Sequence, residues 1–93
     1  MLQIELVPDL SNCIETVAKK EYSEIVRQLL ASGEGNEKLR ERAELLRTFL
    51  ETTNFRRLRS ESERYLVEGR RVKFVVYFAG GATKCDMQVS SEI

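Results

Sequence analysis

Apolar and polar positions alternate from Arg70 to Ser90 in a way that reads as a strand pair. Val72, Phe74, Val76 and Phe78 share one side of the first run, and Thr83, Cys85, Met87 and Val89 share one side of the second. Between them stands Ala79-Gly80-Gly81-Ala82, and Gly-Gly suits the two positive-φ positions of a tight hairpin turn. With those glycines in the turn, Phe78 faces Thr83, Val76 faces Cys85, Phe74 faces Met87 and Val72 faces Val89. All the apolar partners then fall on one face of the sheet, while Lys73, Tyr77, Lys84, Asp86 and Gln88 fall on the other. Turn chemistry and side-chain period agree, which predicts a half-buried antiparallel hairpin.

The same periodicities place the other elements. Leu2, Ile4 and Leu6 alternate with Gln3 and Glu5, predicting a first strand that Pro8 ends. Asp9 or Ser11 can cap a helix whose stripe runs through Leu10, Cys13, Ile14, Val17, Ala18, Ile25, Val26, Leu29 and Leu30, with Gly33 as its stop. The stripe is imperfect between Lys19 and Ser23, where a kink or a break is allowed for. Asn36 opens a second helix to about Thr53, lined by Leu39, Ala43, Leu46 and Leu50 and widened by Leu45 and Phe49. The short Ser32-Gly33-Glu34-Gly35 connection makes the two helices antiparallel neighbours.

Residues 54–69 support two solutions. Ser60-Glu61-Ser62-Glu63 fits a capping box and Gly69 fits the C′ position of a short helix. Against this, Arg64-Tyr65-Leu66-Val67 followed by Glu68-Gly69 and a further strand reads as a second hairpin. A strand from about Phe55 to Val67 is predicted, because a fourth strand covers the edge of a small sheet. The expected fold is therefore α+β, a two-layer sandwich of a four-stranded antiparallel sheet with two helices on one face, in the order β-α-α-β-β-β. The alternative turns residues 60–68 into a short third helix and leaves three strands.

Composition narrows the class without changing this picture. The 93 residues of 1–93 make one α+β domain, long enough to bury a core without staples. Hydrophobic residues at 42% and charged residues at 32% lie outside the disordered regime. There is no histidine, which removes the commonest general base and metal ligand, and with them triads built on His and Cys2His2 zinc sites. The two cysteines, Cys13 and Cys85, form no C-x-x-C unit and are expected as buried free thiols on apolar faces. No apolar run reaches about 18 residues and Met1-Leu2-Gln3-Ile4-Glu5 is not a signal peptide, so no membrane association is expected and the cytoplasm is the expected location.

Charge changes the picture more, because it is unevenly spread. Residues 1–53 carry seven Lys/Arg against ten Asp/Glu, a net of −3, whereas residues 54–78 carry seven against three, a net of +4. The seven cations are Arg56, Arg57, Arg59, Arg64, Arg70, Arg71 and Lys73. On a basic hairpin they would contact phosphates, with outward Tyr77, Tyr65 or Phe55 for stacking. Zero net charge counts against a dedicated nucleic-acid binder. A second clue is the outer sheet face, where Val75 and Tyr77, joined by Val7, offer apolar surface with no covering layer.

Support for catalysis is thin. No pair of carboxylates converges by spacing, Glu34 between two glycines is not followed by the G-K-[ST] of a phosphate loop, and no D-x-D-x-D-G loop is present. The expectation is a non-enzymatic protein-interaction module, without cofactor or metal. It associates through Val75 and Tyr77 of the open sheet face, as a homodimer or with another protein. The alternative is binding of RNA or single-stranded nucleic acid along residues 56–73.

Overall fold

The computed structural model describes residues 2–32 and 36–90. In chain order the elements are β1 (Gln3–Leu6), α1 (Ile14–Ser32), α2 (Glu37–Thr52), α3 (Phe55–Val67), β2 (Val72–Ala79) and β3 (Ala82–Val89). The three strands form one antiparallel sheet with β2 in the centre, and the helices cover one face of it.

The hairpin forms with the register set by its alternation. Val72 pairs with Val89, Phe74 with Met87, Val76 with Cys85 and Phe78 with Thr83. Gly80 and Gly81 have φ of 59° and 79°, the left-handed values that this turn requires. β1 lies on the other side of β2, with Ile4 opposite Val76 and Leu6 opposite Phe74. Ile4, Leu6, Val72, Phe74 and Val76 thus share the inner face and meet Ile14, Ala18, Ile25, Leu45, Leu46 and Phe49 from the helices in one core.

The four-stranded, two-helix architecture is overturned: there are three helices and three strands, in the order β-α-α-α-β-β. Residues 55–67 are a helix, not a strand, and it begins five residues before the 60–68 alternative. Its ends explain why. The Asn54 side chain accepts from Arg57 N–H at 3.2 Å, capping the N-terminus. At the other end Gly69, at φ 84°, lets its N–H donate to the Leu66 carbonyl and the Arg70 N–H to the Tyr65 carbonyl, the paired bonds of a Schellman stop. Between the caps, Phe55, Leu58, Tyr65 and Leu66 pack on the core at helical spacing, with buried Ser62 in the same stripe. Phe55 meets Phe49 edge-on, ring centres 5.2 Å apart. Ser62 stays satisfied there by donating to the Arg59 carbonyl.

Three smaller expectations also change. α1 runs unbroken from Ile14 to Ser32, and Leu10 lies before it, exposed rather than in the core. Leu30 is exposed as well. Neither cysteine is fully buried, although both are free thiols. The expected stop at Gly33 and the 33–35 connection lie outside the described residues. α2 begins after Asn36, whose side chain accepts from Leu39 N–H, and ends at its cap Thr53.

Candidate functional site at the loop end of the sheet

The loop from β1 to α1 is built by one carboxylate. Asp9 Oδ1 accepts from Ser11 N–H at 2.8 Å, from the Ser11 hydroxyl at 2.6 Å and from Asn12 N–H at 2.8 Å. The Ser11 hydroxyl bond, followed by the backbone bonds, holds the Asp9 carboxyl below its ordinary range. Asp9 therefore organises a tight turn rather than capping α1, and it does so through neutral donors while keeping its negative charge.

That turn faces the Schellman corner between α3 and β2. Between them lies a groove of about 530 Å³ in which Val7, Pro8, Leu10, Leu66 and Val72 meet Arg70 and Arg71. A second hollow of about 410 Å³ continues past Val7, Arg71 and Val72 to Lys73 and Val89. Val7 is 56% exposed, Leu10 74% and Val67, the last residue of α3, 72%. Three of the four large exposed apolar side chains among the described residues thus stand at this end of the molecule. Pro8 stops β1 here and the helix stop at Gly69 turns the chain, so both loops stay short while their apolar residues face solvent.

The seven expected cations do not form a basic hairpin. Arg56, Arg57, Arg59 and Arg64 lie on α3, where helical spacing puts Arg57 and Arg64 on one flank and Arg56 and Arg59 on the other. Arg57 is bound to Glu61 at 3.1 Å. Arg70 Nε lies 3.4 Å from a Glu68 carboxylate oxygen, within ion-pair range but without hydrogen-bond alignment, and its guanidinium sits 6.0 Å from the Tyr65 ring centre. Arg64 lies over the same ring at 5.5 Å. Lys73 is paired with Glu5 across the sheet at 3.4 Å. Arg56, Arg59, Arg64 and Arg71 enter no ion pair among the described residues, and of these only Arg71 lines the groove.

Val75 and Tyr77 lie on the outer sheet face, yet Val75 is only 7% exposed. Its neighbours across the sheet are Glu5 and Asp86. The Tyr77 hydroxyl donates to Asp86 Oδ2 at 3.0 Å, which raises the phenol above its ordinary pKa. Val75 thus sits between polar neighbours and exposes little apolar surface, while the face around it carries exposed polar side chains.

A neighbouring groove of about 340 Å³ joins Leu10, Cys13, Thr16, Arg59, Ser62, Glu63 and Leu66. Cys13 caps the start of α1, and its Sγ lies 3.3 Å from the Thr16 hydroxyl. That contact chiefly, then the Thr16 N–H and, least, the charge of Arg59, holds the Cys13 thiol below its ordinary value. Cys85 is the opposite case: burial, helped by Asp86, pushes it up to about 12. Among the described residues no cluster of acidic or sulfur ligands could hold a metal ion, and no helix is long and apolar enough to cross a membrane.

Sequence reasoning placed Leu10 inside a helix and Leu66 inside a strand, so it missed the groove they line. The signal was present in Pro8-Asp9 and Glu68-Gly69, two turn signatures that bring their apolar flanks to the same end. A protein-family model matches residues 2–89. The chain belongs to that family, which is uncharacterised. No curated protein and no solved structure matches the chain.

Proposed function

We propose that this protein is a non-enzymatic interaction module that docks an acidic, apolar segment of a partner protein at the loop end of its sheet. The observation that carries this is that exposed Val7 and Leu10 line, with Leu66 and Val72, a groove whose uncommitted charge is Arg71. Asp9 lines the same groove and keeps its charge, but Arg70 and Arg71 outnumber it there, so the charged lining is net positive. Apolar anchors beside arginine are the composition of protein-recognition surfaces. Two unpaired thiols fit a reducing compartment, and the proposed location is the cytoplasm. Nucleic acid is less well supported, because the cations are split between two flanks of α3 and a corner, and three of the seven are already in ion pairs.

A dye-labelled peptide of interspersed Leu, Phe, Asp and Glu, followed by fluorescence anisotropy, tests this against an oligonucleotide of similar charge. The peptide should bind, and Arg71→Glu and Leu10→Ser should each weaken it by about tenfold, the scale of one interface anchor. Tighter binding of the oligonucleotide, or peptide binding that neither substitution alters, contradicts the proposal.

A further inference from the structure

The two edges of the sheet are finished differently. β1 offers four residues, is followed by Pro8, and has Glu5 tied to Lys73. β3 offers eight, and among the described residues no strand lies beyond it. Ser90 N–H donates to the Arg71 carbonyl at 2.9 Å, so the even-numbered residues of β3 turn their backbone groups toward β2. The N–H and C=O groups of Thr83, Cys85, Met87 and Val89 consequently point out of the sheet edge. The side chains of these four are only half-buried, while Val72, Phe74 and Val76 beside them are fully buried. The helical layer covers this edge only in part: the Thr52 hydroxyl of α2 lies 3.3 Å from that of Thr83, and Cys85, Met87 and Val89 rest against the core without being closed over.

We infer that β3 pairs antiparallel with β3 of a second copy of this chain, about a two-fold axis at Cys85, making one continuous sheet across both molecules. In that register Thr83 stands against Met87 of the second copy on the inner face, and Cys85 against its own counterpart. On the outer face Lys84 stands against Asp86 of the second copy, twice by symmetry. These are the closely spaced, non-hydrogen-bonded positions of the new ladder, where side chains interact most directly. The neighbouring symmetric registers place Lys84 against Lys84 or Asp86 against Asp86, so charge selects this one. Neither residue is in an ion pair among the described residues, and the Tyr77 hydroxyl holds Asp86 by one oxygen, leaving the other to accept from Lys84. A lone lysine in an edge strand repels a second copy; a lysine two residues from an aspartate on the same face attracts one. This edge is distinct from the proposed peptide groove, and either proposal can fail without the other.

Sedimentation equilibrium from about 10 μM to 1 mM covers the range in which a small interface dissociates. A concentration-dependent dimer is expected. Lys84→Glu should weaken it by about tenfold, and Lys84→Glu with Asp86→Lys should restore it. Thr83→Pro removes an outward N–H and spares the β2 ladder, and Thr83→Val serves as the control for the lost hydroxyl contact with Thr52. Thr83→Pro should abolish the dimer while Thr83→Val keeps it, and the circular dichroism melt should show both folds retained. Hydrogen exchange on the unmodified protein should show the Cys85 and Met87 amides slowing as concentration rises. A monomer across the whole range overturns the inference. So does a dimer that Lys84→Glu and Thr83→Pro leave unchanged, or one that the charge swap fails to restore.

Discussion

The middle of β2 is buried on both faces, and by opposite means. On the inner face Val72, Phe74 and Val76 lie fully covered, packed under three helices. On the outer face Val75 is almost as well buried with no layer above it, between Glu5 and Asp86 and beside the Glu5–Lys73 and Tyr77–Asp86 pairs. Long polar side chains can cover apolar surface while their heads stay in water. An uncovered sheet face is therefore not necessarily a sticky one. Apolar side chains without such cover include Val7 and Leu10 at the loop end.

The comparison breaks most readily at the core. Phe74→Ala should cost about 3–5 kcal/mol in urea unfolding, from lost transfer energy and a residual cavity. Val75→Ala should cost about 1.5 kcal/mol or less, since only two methyl groups lose cover that polar chains can reclose. Equal losses at the two positions would show that the faces are packed alike. The allocation of side chains to faces depends on the turn, so Gly81→Val, at φ 79°, should cost about 1–2 kcal/mol through strain rather than contact, as nothing crowds that position.

pH sharpens the contrast further. Cys85 on the inner side is held protonated to about pH 12, whereas an unfolded thiol ionises near about 8.5. Between those values the unfolded chain releases the proton first, so stability falls as pH rises through the window and is unaffected below it. Cys85→Ala should flatten that decline in thermal melts. At mildly alkaline pH the more acidic Cys13 should react with an alkylating reagent before Cys85, as mass spectrometry of the digested protein would read. The smallest effect is expected from Glu5→Gln, below about 1 kcal/mol, since its pair with Lys73 is exposed and screened by salt.

How legible the fold was depended on whether local signals spoke with one voice. In the hairpin, Gly80-Gly81 and the flanking alternation point to the same register, and that register forms. In residues 55–67 they conflict, because the inward stripe of Phe55, Leu58, Tyr65 and Leu66 is interrupted by Ser62. A buried serine reads as polar in sequence, yet it hides in a helix by donating to the carbonyl three residues back. With the helical period masked, sheet-edge protection decided for a strand, whereas the structure leaves β3 as the edge. Asn54 and Gly69 were the better guides, bounding the helix with a cap at each end. The candidate groove was harder still to foresee. Its walls come from the β1–α1 loop, the end of α3, the Gly69 corner and the start of β2, brought together only by tertiary packing.

The account rests most directly on where a partner touches the molecule. An amide NMR titration of the labelled protein with the acidic, apolar peptide reads this residue by residue. The expected result is a set of shifts confined to residues 7–11, 66–73 and 88–90, lost in Arg71→Glu. Shifts centred on Val75 and Tyr77 instead, or a spectrum that the peptide leaves unmoved, would contradict it.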